Sequence, residues 1–346
     1  MRIAQVAPLF ENVPPGRYGG TERVVSYLTE ELVRQGHRVT LFATAESRTS
    51  AELVPIVDQP LRGDPHWMSH AMIQLERVRE RAGDFDVLHF HTDQLHYPLL
   101  QYLDVPAVTT LHGRLDIPSL QPLHRVFSNV SLVSISAAQR SPLPDAGWVA
   151  TVPHGLPPGL YRRGTGAGGY LTFIGRISPE KRLDRAIEIA RRVGLPLRVG
   201  AKVDPADRKY FKRVIEPLLS TPGVVLLGEV DDRQKSDLLA DALALLFPID
   251  WPEPFGLVMV EAMASGTPVL AFRGGSVEEI LQDGVTGKIV DTVDQAVSAL
   301  PALLALDRGR CREEFERRFS VRRMARDYVR VYERLLDAPS RLTASA

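Results

Sequence analysis

The chain is 346 residues long and carries 42 lysines and arginines against 42 aspartates and glutamates, so no overall field draws it to nucleic acid or to an acidic membrane. That length favours two domains, each large enough to bury a core of its own. The single cysteine, Cys311, excludes an internal disulfide, and no apolar run approaches the roughly 20 residues of a membrane-spanning helix.

The opening run RIAQVA reads as a strand, with neither an apolar leader core nor a small-residue cleavage site; a cytoplasmic protein is expected. TERVVSYLTEELVRQ follows with helical periodicity and is closed by Gly36. The strand HRVTLFAT, a helix near 67 to 82, and the strands DVLHFH and AVTTLH complete a first βαβ series. The helix near 67 to 82 mixes apolar and basic positions; packing of its apolar side inside the first domain is expected, and peripheral contact with a lipid surface is the alternative. Asp84-Phe85-Asp86 precedes the strand VLHFH and so lies at its amino end, the wrong edge for a ligand; it is read as structural. His89 and His91 fall on one strand face, without a third metal ligand at a familiar spacing, and one of them is expected near the cleft.

After RRGTGAGG the grammar restarts with YLTFIGR, the helix LDRAIEIARRV, LPLRVG, VVLLGEV, the helix RQKSDLLADA, LALLFPI and PVLAF. Runs apolar throughout suit parallel strands covered by helices on both faces. The expected fold is therefore α/β, with two Rossmann-like doubly wound domains facing a central cleft. The glycines of RRGTGAGG precede a strand instead of following one, which argues against a phosphate-binding turn and for a hinge. Expected boundaries are 1–160 for the N-terminal domain, 161–169 for the linker and 170–320 for the C-terminal domain. Residues 321–346 supply a helix crossing back to the first domain, and a tail.

In EPFGLVMVE, residues 253 to 261, Glu253 sits just outside a helix start and Glu261 roughly a turn and a half inside it. Pro254 suits the approach to a helix, and Gly256 leaves room for a ligand near the backbone. The N–H groups of the first turn and the positive end of the dipole suit phosphate. Two carboxylates accepting from hydroxyls, with a phosphate site between them, describe the grip on a sugar nucleotide; the alternative is that both acids serve the helix dipole. GRISPEKR supplies Arg176 and Lys181 at the same sheet edge, able to neutralise a diphosphate without metal.

These stretches resemble the retaining nucleotide-sugar glycosyltransferases of family four, of GT-B architecture. The likeness runs through YGGTERVVSYLTEELVRQGHRVTLF, TTLHGR, GRISPEKRLDRAI and LLFPIDWPEPFGLVMVEAMASGTPVLAFRGGSVEEILQDGVTGKIV. It implies that Arg176 and Lys181 hold the donor diphosphate. Glu253 and Glu261 match the E-x7-E pair, the first on the sugar and the second on the ribose. Phe255, Gly256 and Leu257 would line the phosphate and sugar, and Gly19 and Gly20 would form a glycine loop in the turn after the first strand. His112 would contact the transferred sugar, and Glu229 and Val230 would border the nucleobase. VPHGLP departs from the family's Asn-Gly near the domain junction, so His154 either reshapes the cleft floor or has no role there.

The implied activity is sugar transfer with retention from a nucleoside diphosphate, UDP by family usage, to a saccharide, lipid-linked sugar or small-molecule hydroxyl, with no metal or other cofactor. A sugar-nucleotide epimerase, a glycan phosphorylase and a non-catalytic sugar-nucleotide binding protein are the alternatives.

Overall fold

The computed structural model describes residues 1–17 and 19–338. Tyr18, which begins the glycine-loop stretch, and residues 339–346 of the expected tail lie outside the described residues. The chain divides into two compact units, one made of Met1–Gly155 with the helix that begins at Val321, the other of Leu156–Ser320.

The first unit runs β1 (Arg2–Val6), α1 (Gly20–Arg34), β2 (Arg38–Thr44), β3 (Glu52–Val57), α2 (Trp67–Arg81), β4 (Val87–Phe90), β5 (Ala107–Thr110), α3 (Leu120–Val126), β6 (Leu132–Ser134), α4 (Ala137–Arg140) and β7 (Trp148–Thr151). Its seven strands are ordered β3-β2-β1-β4-β5-β6-β7, and every pairing is parallel. Chain order reverses between β1 and β4, the topological switch point of a doubly wound sheet. Ile3, Val6, Leu88 and Phe90 are buried in the central strands, as expected of strands covered on both faces.

The connection from β1 to α1 is a 13-residue loop that passes through Pro14 and Pro15 before reaching Gly19. The apolar residues of α2 divide: Val78 is buried in the core of this unit and Leu75 packs against it, while others turn outward. The buried residues of α2 are Gln74 and Val78, with Gln74 Nε2 donating to the carbonyls of Ala7 (2.9 Å) and Phe42 (3.3 Å). Met68, Met72 and Ile73 stay half exposed or more. A buried amide satisfied by two strand-end carbonyls sets the rotation of this helix.

The second unit runs β8 (Leu171–Arg176), α5 (Leu183–Val193), β9 (Leu197–Lys202), a mixed helical stretch whose α-helical part is α6 (Arg208–Tyr210), and β10 (Val224–Gly228). It continues through α7 (Asp232–Asp241), β11 (Ala244–Phe247), α8 (Leu257–Ala264), β12 (Val269–Phe272), α9 (Val277–Ile280), β13 (Gly287–Val290), α10 (Val293–Leu304) and α11 (Arg308–Arg318). The six strands are ordered β10-β9-β8-β11-β12-β13, again parallel throughout, with the reversal between β8 and β11. VVLLGEV does not form a strand covered on both faces. β10 is an edge strand, and Val225 is 50% exposed.

The glycine segment 161–169 is not a linker. It lies inside the second unit, where the N–H groups of Gly164, Gly166 and Gly168 donate to the carbonyls of Ser265 (3.0 Å), Ala240 (3.1 Å) and Asp241 (2.9 Å). A Cβ at Gly164 would stand 1.9 Å from the Ala240 carbonyl oxygen. These glycines permit close backbone packing. The chain passes between units at Gly155–Leu156 and again at Ser320–Val321.

The final helix, α12 (Val321–Asp337), belongs to the first unit. Val321, Met324, Ala325, Tyr328, Val331 and Tyr332 are buried, the spacing of a single apolar face.

Candidate functional site

In an open α/β sheet, ligands collect beyond the carboxyl ends of the strands where chain order reverses. In the second unit those ends are Arg176 of β8 and Phe247 of β11. The loop after β8 carries Lys181 and the loop after β11 carries Glu253, and the Lys181 ammonium forms a short ion pair with the Glu253 carboxylate. Trp251 Nε1 donates to the same carboxylate oxygen at 3.0 Å. The ammonium also lies 4.8 Å from the Trp251 ring centroid and 5.5 Å from that of Phe247. Glu253 is 7% exposed, so it is a buried, partnered acid and not a solvated helix-end charge.

The approach of that loop depends on residues with no obvious charge signal. Gly275 (φ 54°) packs so closely that a Cβ would come 2.2 Å from the Glu253 carbonyl oxygen, and Ser276 N–H donates to that carbonyl at 2.9 Å. The glycine pair of FRGGSVEE was the available sequence signal. Gly256 adopts φ 75° as the N-cap of α8. A Cβ there would meet the Met259 methyl at 2.5 Å, so the glycine answers a left-handed backbone and a tight core contact. Leu257 opens the helix, while the Phe255 ring is buried 6.2 Å from Phe319.

Arg176 is engaged by acids. It pairs with Glu180, and the carboxylates of Asp207 and Asp204 stand 3.4 and 3.7 Å away. The next cation along, Arg182, takes a left-handed φ of 53° as the N-cap of α5. Its guanidinium is fixed by Asp184 (2.8 Å) and Asp250 (2.7 Å), and those bonds hold its charge still more firmly than usual. A non-glycine residue there is strained, and the two acids over-determine it. Nothing in GRISPEKR announces that conformation.

Glu261, 3% exposed in α8, accepts from Lys235 of α7 at 2.6 Å. Lys235 also stands 3.7 Å from Asp232 and 5.7 Å from the Tyr161 ring centroid. Its place was not foreseen, because a single lysine in RQKSDLLADA looks like any exposed helical charge. Glu229 and Val230 are half-buried after β10. They lead into Asp231, which caps α7 through a capping box with Gln234. Val230 packs against β9 where Gly200 leaves space for it. Glu253 and Glu261 therefore do not share a partner, and each is held by its own lysine.

The first unit has a different chemistry at its switch point. Gln5 of β1 lies beside His89 of β4 in the strand register, and His91 follows the end of β4. The His89 and His91 rings lie with centroids 4.0 Å apart, tilted 40° to one another. His91 Nδ1 and His112 Nε2 are 2.9 Å apart, and the His154 ring stacks on His112 at 5.2 Å and 19°. Burial drives the His112 imidazole down to about 3 and holds His89, His91 and His154 well below the ordinary value, so the cluster is neutral. Gly19 caps α1 at φ 147°, and a Cβ there would fall 2.8 Å from Pro15; Gly20 begins α1 with open space around it. Asp86 of the Asp-x-Asp triplet binds Arg2 through its backbone N–H (2.7 Å) and its guanidinium (2.8 Å).

Paired cations and buried acids at the switch point of a doubly wound sheet have the chemistry to take phosphate and hydroxyl groups. Two family models match the chain: "Glycosyltransferase Family 4" over residues 18–146 and "Glycosyl transferases group 1" over residues 167–319. Together they cover most of it, and the chain belongs to the GT-B glycosyltransferases of family four.

Among its relatives, phosphatidyl-myo-inositol mannosyltransferase of Mycobacterium leprae is 28% identical over the full length of both chains. Glycogen synthase of Mycobacterium tuberculosis is 27% identical, covering 83% of this chain and 81% of that one. The crystal structure of AviGT4, a glycosyltransferase involved in avilamycin A biosynthesis, superposes with a TM-score of 0.74 at 25% identity, covering 97% of this chain and 98% of that one. HepE of Anabaena, crystallised with UDP and glucose, shares the fold with a TM-score of 0.75 at 19% identity, over 96% of this chain and all of that one. Among the described residues, no helix is long and apolar enough to cross a membrane.

Proposed function

We propose that the protein transfers a hexose, with retention of anomeric configuration and without a metal ion, from a nucleoside diphosphate sugar to an acceptor hydroxyl. The observation that carries this reading is the Lys181–Glu253 pair at the β8/β11 switch point. Arg176 flanks it at the end of β8, and the N-terminus of α8 follows in the same loop.

On this reading the diphosphate binds between the start of α8 and the cations Arg176 and Lys181. Arg176 exchanges some of its carboxylate neighbours for phosphate oxygens. Glu253, with Lys181 drawn partly to phosphate, accepts from a sugar hydroxyl. Glu261 accepts from the ribose, and Glu229 and Val230 border the base. Gly19 and Gly20 admit phosphate and acceptor, and His112 meets the transferred sugar. The C–O bond to the leaving phosphate breaks through an oxocarbenium-like transition state. That phosphate takes the acceptor proton on the face from which the new bond forms, so no protein nucleophile is needed. The protein positions the donor and stabilises charge developing on the diphosphate.

UDP is the first nucleotide to test, supported by family usage and by the UDP-bound relative of the same fold. The acceptor is a polyol, either a saccharide, a lipid-linked sugar or a small molecule. The activities named for the mannosyltransferase and glycogen synthase relatives support that class.

The test is release of nucleoside diphosphate from UDP-, GDP- and ADP-sugars, with and without EDTA, over a panel of polyol acceptors, followed by NMR of the product anomer. EDTA-resistant transfer with retained configuration is expected. Inversion, a metal requirement, or release that consumes inorganic phosphate contradicts the reading.

A further inference from the structure

His112 is one end of a hydrogen-bonded chain that runs to α12. Gln5 Nε2 lies 3.2 Å from the Tyr332 hydroxyl and 3.5 Å from His89 Nδ1, while Gln5 Oε1 lies 2.8 Å from His91 Nε2. The Tyr332 hydroxyl is 2.7 Å from His89 Nδ1, and His89 Nε2 is 2.7 Å from the Thr110 hydroxyl. Gln5, His89, His91 and Tyr332 are buried.

A neutral imidazole has one donor and one acceptor nitrogen, and an amide oxygen only accepts. With the Gln5 oxygen facing His91 and its nitrogen facing Tyr332, one polarity satisfies every contact. The Gln5 amide donates to Tyr332, Tyr332 donates to His89 Nδ1, and His89 Nε2–H donates to Thr110. On the other side the Gln5 oxygen accepts from His91 Nε2–H, which leaves His91 Nδ1 as an acceptor. His112 must then donate from Nε2–H, and its Nδ1 keeps a lone pair. That Nδ1 is buried and has no hydrogen-bond partner among the described residues.

We propose that Gln5, His91 and Tyr332 are positioning residues that lock His112 in its Nε2–H tautomer, so that His112 Nδ1 is presented as an acceptor to a substrate hydroxyl. The identity of that hydroxyl as a sugar hydroxyl rests on the transferase reading; the tautomer does not. A buried acceptor without a partner is costly in the free protein, and a donor hydroxyl relieves that cost. The site then reads hydroxyl hydrogens by a fixed lone pair, with no proton exchanged. Tyr332 makes the last helix part of this arrangement, since its hydroxyl is what the Gln5 nitrogen faces.

The test uses the full-length protein labelled with ¹⁵N-histidine and long-range ¹H–¹⁵N correlation near neutral pH, with His112 assigned by loss of its signals in His112→Asn. The wild-type spectrum is expected to show a protonated Nε2 and a bare Nδ1. The opposite tautomer, or an averaged mixture, overturns the proposal, and this measurement needs no folded variant beyond the one used for assignment.

Two substitutions then separate positioning from general structure. His91→Leu removes the acceptor, and His112 is expected to become a tautomer mixture with turnover lowered about tenfold, the effect of losing one hydrogen bond. His91→Asn places an amide oxygen where Nδ1 stood, and is expected to restore the single tautomer and most of the turnover. A His91→Leu protein with wild-type tautomer and turnover overturns the relay. A wild type that holds the Nε2–H tautomer yet transfers no sugar from any donor sinks the transferase reading and leaves the relay standing.

Discussion

The two switch points have the same topology and opposite electrostatics. At β8/β11 the side chains are charged and paired: Lys181 with Glu253, Lys235 with Glu261, and Arg176 among three acids. At β1/β4 they are neutral and linked: Gln5, His89, His91 and Tyr332. Paired charges can be handed to an incoming diphosphate at modest cost, because each lysine already stands desolvated beside an acid. A neutral network cannot hold a dianion, but it fixes donors and acceptors with one polarity. On the proposed reading, one fold used twice supplies a charge-neutralising half and a hydroxyl-reading half.

The largest effect that sharpens this contrast is acid sensitivity that begins, below about pH 6.5, in the first unit, which holds all nine histidines. Histidines held below their ordinary value in the folded state take up protons more readily when unfolded, so stability is full above about pH 6.5 and falls as pH drops below it. The decline runs toward about 3, where His112 and His96, a buried imidazole between β4 and β5 whose Nε2 lies 2.6 Å from the Thr109 hydroxyl, protonate in the folded chain. For wholly buried His96 this amounts to ~2 kcal/mol at about pH 5. Amide exchange followed by mass spectrometry should show β1, β4 and β5 losing protection first on acidification. Equal loss in β8 and β11 would erase the contrast.

Next in size is Lys181→Ala, expected to lower turnover about a hundredfold, or roughly 3 kcal/mol of barrier. Near-wild-type turnover would remove Lys181 from the phosphate site. Gly164→Ala comes third. Its Cβ collides with the Ala240 backbone, so a loss of about 1–3 kcal/mol is expected in denaturant titrations. An unchanged midpoint would show that the segment yields like a hinge after all. Glu261→Ala follows, with nucleotide affinity about tenfold weaker through loss of one charge-assisted bond. Leu226→Asp, on the exposed edge strand, should shift stability by less than about 0.5 kcal/mol, and a larger loss would mean that β10 is covered.

Much of this was legible in the chain. The apolar runs of β8, β11, β12 and α8 and the periodicity of α1, α5 and α12 carry the doubly wound fold, because burial on both sheet faces writes itself into composition. Arg176, Lys181 and Glu253 could be singled out at or just beyond strand ends, and Glu261 from its place in the helix that follows. Their partners could not. Lys235 meets Glu261 only through the packing of α7 beside α8, and Gln5, Tyr332 and His112 are joined by long-range register that no local pattern records. The glycines of 161–169 misled for a related reason. A glycine chosen for flexibility and one chosen for close packing look alike until the opposing backbone is known.

The most direct test of the central claim is calorimetric titration of the wild type and of Glu261→Ala with UDP, GDP and ADP, each with and without Mg²⁺. The account predicts metal-independent binding of one nucleotide, UDP first, weakened by the substitution. A folded wild type that binds none of the three, or a Glu261→Ala protein that binds as tightly as wild type, would contradict the placement of the donor at Glu261.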